Sequence, residues 1–183
     1  MKKTVAFLLI ALVLFAAVGA AAEATPFTFR AGVQWGMSPA EVAEAEAAEA
    51  AVSQKMDSGY LIELYTDIAV SKYSAMLEYV FLNDALKLAV YDFTENVAEK
   101  DFKYLSGALG SLYGEAEETG PEAAHAVLDA IMPGAYAPDD LTDCLHWPLD
   151  SATDIYMFHI GEQFSIMYVS EDYAAVRYNI FGL

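Results

Sequence analysis

The sequence predicts an α+β protein in which an antiparallel β-sheet of five to six strands is packed by about three helices. Three observations carry that prediction. Runs rich in β-branched and aromatic residues, at 60–65, 73–82 and 86–94, follow one another with short polar breaks. Helical periodicity then takes over for two segments before strand-like runs return at 155–160 and 164–169. Strands grouped between helices, rather than alternating with them one by one, define an α+β order with hairpin-connected strands.

The first helix has the clearest start. Ser38 can cap it, Pro39 suits the first helical position because it lacks the N–H that would be unpaired there, and Glu41 completes an S-x-x-E capping box. Met37 and Val42 occupy the hydrophobic-staple positions. The Ala- and Glu-rich stretch that follows carries the expected helix to about residue 52, with Val42, Ala45, Ala48 and Val52 inward. Asn83-Asp84 between two strand runs marks a tight hairpin.

An amphipathic helix is expected over 97–113, with Asn96 as cap, Phe102, Leu105, Leu109 and Leu112 on one stripe, and Gly114 as its stop. Residues 115–120 read as an acidic linker. Pro121 opens a helix over 121–131 that Pro133-Gly134 ends. A Pro- and Asp-rich loop should reach Trp147-Pro148, and the tail over 173–181 is a candidate further strand. The order suggests two similar α/β halves, 25–114 and 115–183, within one domain over 25–183.

Residues 1–24 have the layout of a signal peptide. Lys2 and Lys3 precede an uncharged run from Thr4 to Ala22, and Ala22-Glu23-Ala24 fits the cleavage pattern. The run also approaches the ~20 residues that span a bilayer. Its ending in Ala and Gly beside a cleavage site favours removal, so an extracytoplasmic protein without stable membrane insertion is expected. The formal net charge is −18, from 9 Lys+Arg against 27 Asp+Glu. Losing two lysines and one glutamate with the signal takes it to −19. A chain this acidic repels nucleic acid and favours cationic partners. Its single cysteine, Cys144, has no partner for an intrachain disulfide, so the core must hold the fold.

The helix start Trp35-Gly36-Met37-Ser38-x-x-Glu41-Val42, followed by strand-like hairpins in an exported chain, resembles the BamE-like (SmpA/OmlA) group of small bacterial extracytoplasmic proteins. It also resembles secreted bacterial proteins in which a Trp-Gly-x-Ser-x-x-Glu-Val start precedes a Tyr-rich sheet. The resemblance implies a helix-packed antiparallel sheet and a role in binding at the cell envelope. The lipidated N-terminal Cys usual in BamE-like proteins is absent, so outer-membrane assembly is not implied.

Reactive constellations are few. Asp139, Asp140, Asp143, Cys144 and His146 fall in one segment, to which folding could bring His125 or His159. Asp143, Cys144 and His146 are the candidate metal ligands of an alternative reading, a secreted hydrolase or metal-dependent enzyme. Zinc sites normally show two ligand pairs at regular spacing, and calcium loops alternate ligands around a glycine; neither pattern occurs here. No G-x-S-x-G elbow and no phosphate-cradling loop is present. No cofactor is therefore expected. The 12 Tyr, 10 Phe and 2 Trp suit half-buried strands, and some could form a docking surface for a protein or peptide. Trp35, Tyr65 and Trp147 are the candidate binding residues of a non-catalytic binding module. If the leader is cut as its pattern predicts, mass spectrometry of the exported protein will find a chain beginning at Thr25; retention of Lys2 and Lys3 would show an anchor instead.

Overall fold

The computed structural model describes residues 27–56, 59–93, 98–132, 134, 137, 140–149 and 152–173. The signal segment, Asn96, Pro133, Asp139 and the tail beyond Tyr173 lie outside them. The architecture is α+β around one antiparallel sheet. Its strands are β1 (Val52–Lys55), β2 (Tyr60–Val70), β3 (Tyr73–Leu82), β4 (Ala85–Phe93), β5 (Glu117–Glu118), β6 (Leu141–Leu149), β7 (Thr153–Ile160) and β8 (Gln163–Ser170). Three α-helices, α1 (Pro39–Glu46), α2 (Glu99–Tyr113) and α3 (Pro121–Ile131), join a 3-10 turn at Arg30–Gly32.

The sheet has eight strands, in the order β1-β2-β3-β4-β8-β7-β6-β5, and not the five to six that patterning predicts. The additional ones are short or irregular. β1 is wholly exposed, and β5 is two glutamates of the expected linker paired with His146 and Leu145. β6 occupies most of the expected Pro/Asp-rich loop. A bulge between Leu141 and Asp143 offsets its register, so Leu141 and Cys144, three apart, enter the same α3 core, while Trp147 enters the α2 core by ordinary alternation. Pro148 is tolerated because β5 pairs only with residues 145 and 146, leaving that stretch of β6 on the free edge.

Alternation along the strands sorts the core into two faces. On one, α3 lays Ala124, Leu128 and Ile131 on a cluster that includes Val80, Leu88, Phe158, Met167 and Val169. On the other, α2 lays Phe102, Leu105 and Leu109 on Phe93, Ile155, Met157 and Ile166. Beside α2 on that face, Val33 and Val42 cover Leu77, Tyr79, Phe81 and Ala89. Neighbours such as Met157 and Phe158, or Ile166 and Met167, thus serve opposite layers.

Local signals set most boundaries. Ser38 Oγ accepts the Glu41 N–H at 3.4 Å, and Glu41 Oε2 accepts the Ser38 N–H at 2.8 Å, closing the capping box. Gly36 takes φ +81°, a left-handed turn that lets its N–H reach the Leu86 carbonyl at 3.1 Å. Asn83 and Asp84 are both left-handed, as a two-residue hairpin turn of the primed type requires. α1 ends at Glu46, short of residue 52, with Ala47 left-handed. Helical propensity continues past that point, but only Val42 is buried, and the Ala51 N–H is already bonded to the Leu64 carbonyl at 2.7 Å. α2 begins after Ala98, whose N–H donates to Asp101 Oδ2 at 2.9 Å.

Phe158 is fully buried beneath α3, so Phe158→Ala removes a large side chain that its neighbours cannot replace. Urea denaturation is expected to show a loss of about 3–5 kcal/mol.

Candidate functional site

On the α2 face the N-terminal cover touches α2 at Phe27 and Tyr113, 6.2 Å between ring centroids, and beside that contact a cleft of about 340 Å³ remains. Its floor is Tyr91 of β4 with Ile166 and Tyr168 of β8. One wall is the α2 stripe of Leu105, Leu109 and Leu112, and the other is the β2–β3 turn at Ala69, Val70 and Ser71. Arg30 closes the third side. Leu112 is 73% exposed, an apolar side chain left in water at the rim.

A short arm places Arg30. The Phe29 N–H bonds the Val33 carbonyl at 2.8 Å and Thr28 bridges Gln34, making a small loop with Arg30 near its tip. Phe27 and Phe29 pack against Tyr168 at 5.7 and 5.4 Å between ring centroids, which fastens the arm beside the floor. Arg30 Nε lies 3.3 Å from Glu46 Oε2. The arginine side chain is 37% exposed, whereas that of Glu46 is 2% exposed and also accepts the Tyr79 hydroxyl at 2.6 Å. The cation therefore fronts the cleft while its carboxylate partner is sealed behind it. Burial pushes the Tyr91 hydroxyl up to about 12, against the pull of Arg30, and burial raises Tyr168 as well. Both phenols keep their protons at neutral pH; the Tyr168 hydroxyl is turned to Tyr113, which leaves Tyr91 as the phenol able to donate into the cleft.

Of the residues expected from sequence, Trp35 belongs to the same aromatic group. It lies edge-on to Phe29 at 4.5 Å, and its Nε1 donates to Thr153 Oγ1 at 2.8 Å. Tyr65 is buried under the N-terminal cover, where its hydroxyl donates to Glu63 Oε2 at 3.3 Å. Burial, and then Glu63, push that hydroxyl up to about 12. Trp147 is fully buried beneath α2, with Nε1 donating to the Gly114 carbonyl at 3.0 Å.

The Asp/Cys/His segment is divided by the strand it forms. Asp143 pairs with His159 across β6 and β7 on the α2 face, while Cys144 is buried in the α3 core. His159 Nδ1 approaches Asp143 Oδ2 at 3.5 Å without a hydrogen bond. His146 stacks on Tyr156 at 4.4 Å, and its Nε2 is 2.7 Å from Asp154 Oδ1, with Glu117 Oε2 3.7 Å from Nδ1. No hydroxyl or thiol joins that His–Asp pair among the described residues. Burial pushes the Cys144 thiol up to about 11, away from the thiolate that nucleophilic or metal-binding cysteines need. His125 is half-buried on α3. Among the described residues, no three His, Cys, Asp or Glu side chains gather to hold a metal ion. No helix among them is long and apolar enough to cross a membrane.

Sequence patterning pointed to neither Arg30, Tyr91 nor Tyr168. A signal existed for the first, since Arg30 is the only Lys or Arg between Lys3 and Lys55. The tyrosines are brought together by the pairing of strands distant in sequence, β4 and β8, which periodicity does not report. No protein-family model matches the chain, and no curated protein or solved structure is significantly similar to it. The resemblance to BamE-like proteins therefore rests on the Trp35 to Val42 helix start.

The opposite face carries a second electrostatic feature. Glu78 and Asp92 lie on neighbouring strands, and neither has an ion-pair partner among the described residues. Burial raises both above the usual carboxylate range; Asp92 further raises Glu78, while the Ser165 hydroxyl donating to Asp92 opposes its rise. A raised carboxyl favours the protonated fold, so its contribution is complete below its unfolded value and is lost as pH rises through the folded one. Glu78→Gln is thus expected to match the parent's melting temperature near about pH 4 and exceed it by about pH 8. A thermal-melt series checks this, and a variant less stable at the higher pH would contradict it.

Proposed function

We propose that the chain is an exported, non-catalytic binding module of the cell envelope or extracellular space, holding a small apolar-bodied ligand in the cleft beside Arg30. One observation carries this reading: between two well-packed helical covers, the α2 face leaves uncovered a concave, apolar-lined stretch of sheet bordered by a single cation. Ligand sites are concave and mostly apolar with a few placed polar groups, and this volume falls within their usual range.

The reading includes two similar halves over 25–114 and 115–183, each contributing four strands that end at a shared central pair. Strand order supports it, with β1 to β4 on one side of the β4–β8 junction and β5 to β8 on the other; the helices do not repeat, since α1 and α2 cover one face and α3 the other. At the junction Ala89 pairs with Tyr168 and Tyr91 with Ile166, which puts both tyrosines on one face. The BamE-like resemblance, taken from the Trp35 to Val42 helix start, implies the same kind of role, binding at the cell envelope.

The test uses 1-octanol as an uncharged apolar probe, followed by NMR at Tyr91, Ile166 and Tyr168. Saturable shifts are expected at all three. Ala108→Trp, at an exposed position on the α2 wall, should abolish them without unfolding the protein. Absence of saturable shifts in the parent chain would refute the reading.

A further inference from the structure

Building on that cleft as the binding site, we infer that its ligands are apolar monocarboxylates, taken with the carboxylate at Arg30 and the apolar body between α2 and the floor tyrosines. The argument is an inventory of donors and acceptors. A guanidinium presents five N–H donors in a planar fork, and among the described residues the one carboxylate paired with Arg30, that of Glu46, meets it at Nε. Glu46 is almost wholly buried, with one oxygen on Tyr79 and the other toward Arg30, so an incoming ligand cannot use it as an acceptor. The Tyr91 hydroxyl keeps its proton and has no hydrogen-bond partner among the described residues. The polar end of the cleft therefore offers spare donors and one positive charge, while Val70, Leu105, Leu109, Leu112 and Ile166 supply apolar walls.

Such a site ranks ligand heads by physical chemistry. A carboxylate makes charge-assisted hydrogen bonds, about twice as strong as neutral ones, and can meet the guanidinium edge at two points. A hydroxyl forms one neutral bond, and an ammonium faces Arg30 as a like charge. The acidic surface of the whole chain opposes anions. That field is screened over about 8 Å at physiological ionic strength, whereas Arg30 acts at contact.

The experiment compares octanoate, 1-octanol and octylammonium on the same chain, by calorimetry and by NMR shifts at Tyr91 and Tyr168. Octanoate is expected to bind about tenfold more tightly than 1-octanol, the factor one charge-assisted contact supplies. Octylammonium is expected to bind weakest at the cleft. Arg30→Gln should reduce octanoate to the 1-octanol level. Glu46→Gln, which removes the internal competitor for the guanidinium, should tighten octanoate more than 1-octanol, an effect that a merely structural arginine would not produce. Equal binding of octanoate and 1-octanol, or tightest cleft binding by octylammonium, overturns this inference and leaves the cleft as a binding site. Failure of all three probes to shift the floor tyrosines overturns both.

Discussion

The antiparallel pairing of β4 with β8 is the contact on which the rest of this structure depends. It joins strands about half the described chain apart, from Leu88 with Val169 to Phe93 with Phe164. Each set of hairpins could pair locally, but only this junction makes one sheet with two continuous faces. Pairing distant strands costs loop-closure entropy before contacts reward it, so the junction must be strongly favoured once formed. Its side chains supply that. Val90 and Met167 point together into the α3 core, while Phe93 and Phe164 enter the α2 core.

The same junction explains why the cleft lies where it does. α2 reaches the junction at Phe93 and Ile166, and the N-terminal cover reaches it at Ala89 and Tyr168, so the cleft opens over Tyr91 between those contacts. Two tyrosines rather than two aliphatic residues floor it, which suits a surface partly dry and partly wet. In a chain where carboxylates outnumber cations three to one, the placing of each cation is informative. Lys103 pairs with Glu99 and Lys87 with Asp172 on the surface, where such bridges contribute little. Arg30 instead combines a buried carboxylate on one side with a half-open cleft on the other. Glu46 both ends α1 and anchors it to the sheet through Tyr79, so arm, helix and sheet converge on this arginine.

How much of this was legible in the sequence depends on whether the signal is local. Ser38, Pro39 and Glu41 announce α1, and Asn83-Asp84 announces the β3–β4 hairpin, because capping and primed turns are set by adjacent residues. β2, β3, β4, β7 and β8 are visible through their aromatic and β-branched runs. β6 was hidden because its bulge breaks the period of two at Leu141 and Cys144, because Cys144 and Trp147 are buried on opposite faces, and because Asp and Pro dilute its hydrophobicity. β1 and β5 form only because a neighbouring strand offers hydrogen bonds, so their own composition is silent. The candidate site was largely hidden for the same reason. Trp35 was picked out as an aromatic and does stand in the group beside the cleft, but Tyr91, Tyr168 and Arg30 acquire their meaning from a pairing between distant strands. The Asp143, Cys144 and His146 grouping shows the converse: the strand sends Asp143 to the α2 face and its neighbour Cys144 to the other, while His146, on the Cys144 side, turns to Tyr156 and Asp154.

The cleft over Tyr91 and Tyr168 offers a ligand a place to exchange water for apolar contact, and there Arg30 selects the head group. The account is tested most directly by the structure of the chain crystallised with octanoate. It predicts a carboxylate on the Arg30 guanidinium and an alkyl tail lying over Tyr91 and Tyr168 against Leu109. An alkyl tail seated elsewhere, with the cleft holding only water, would contradict it.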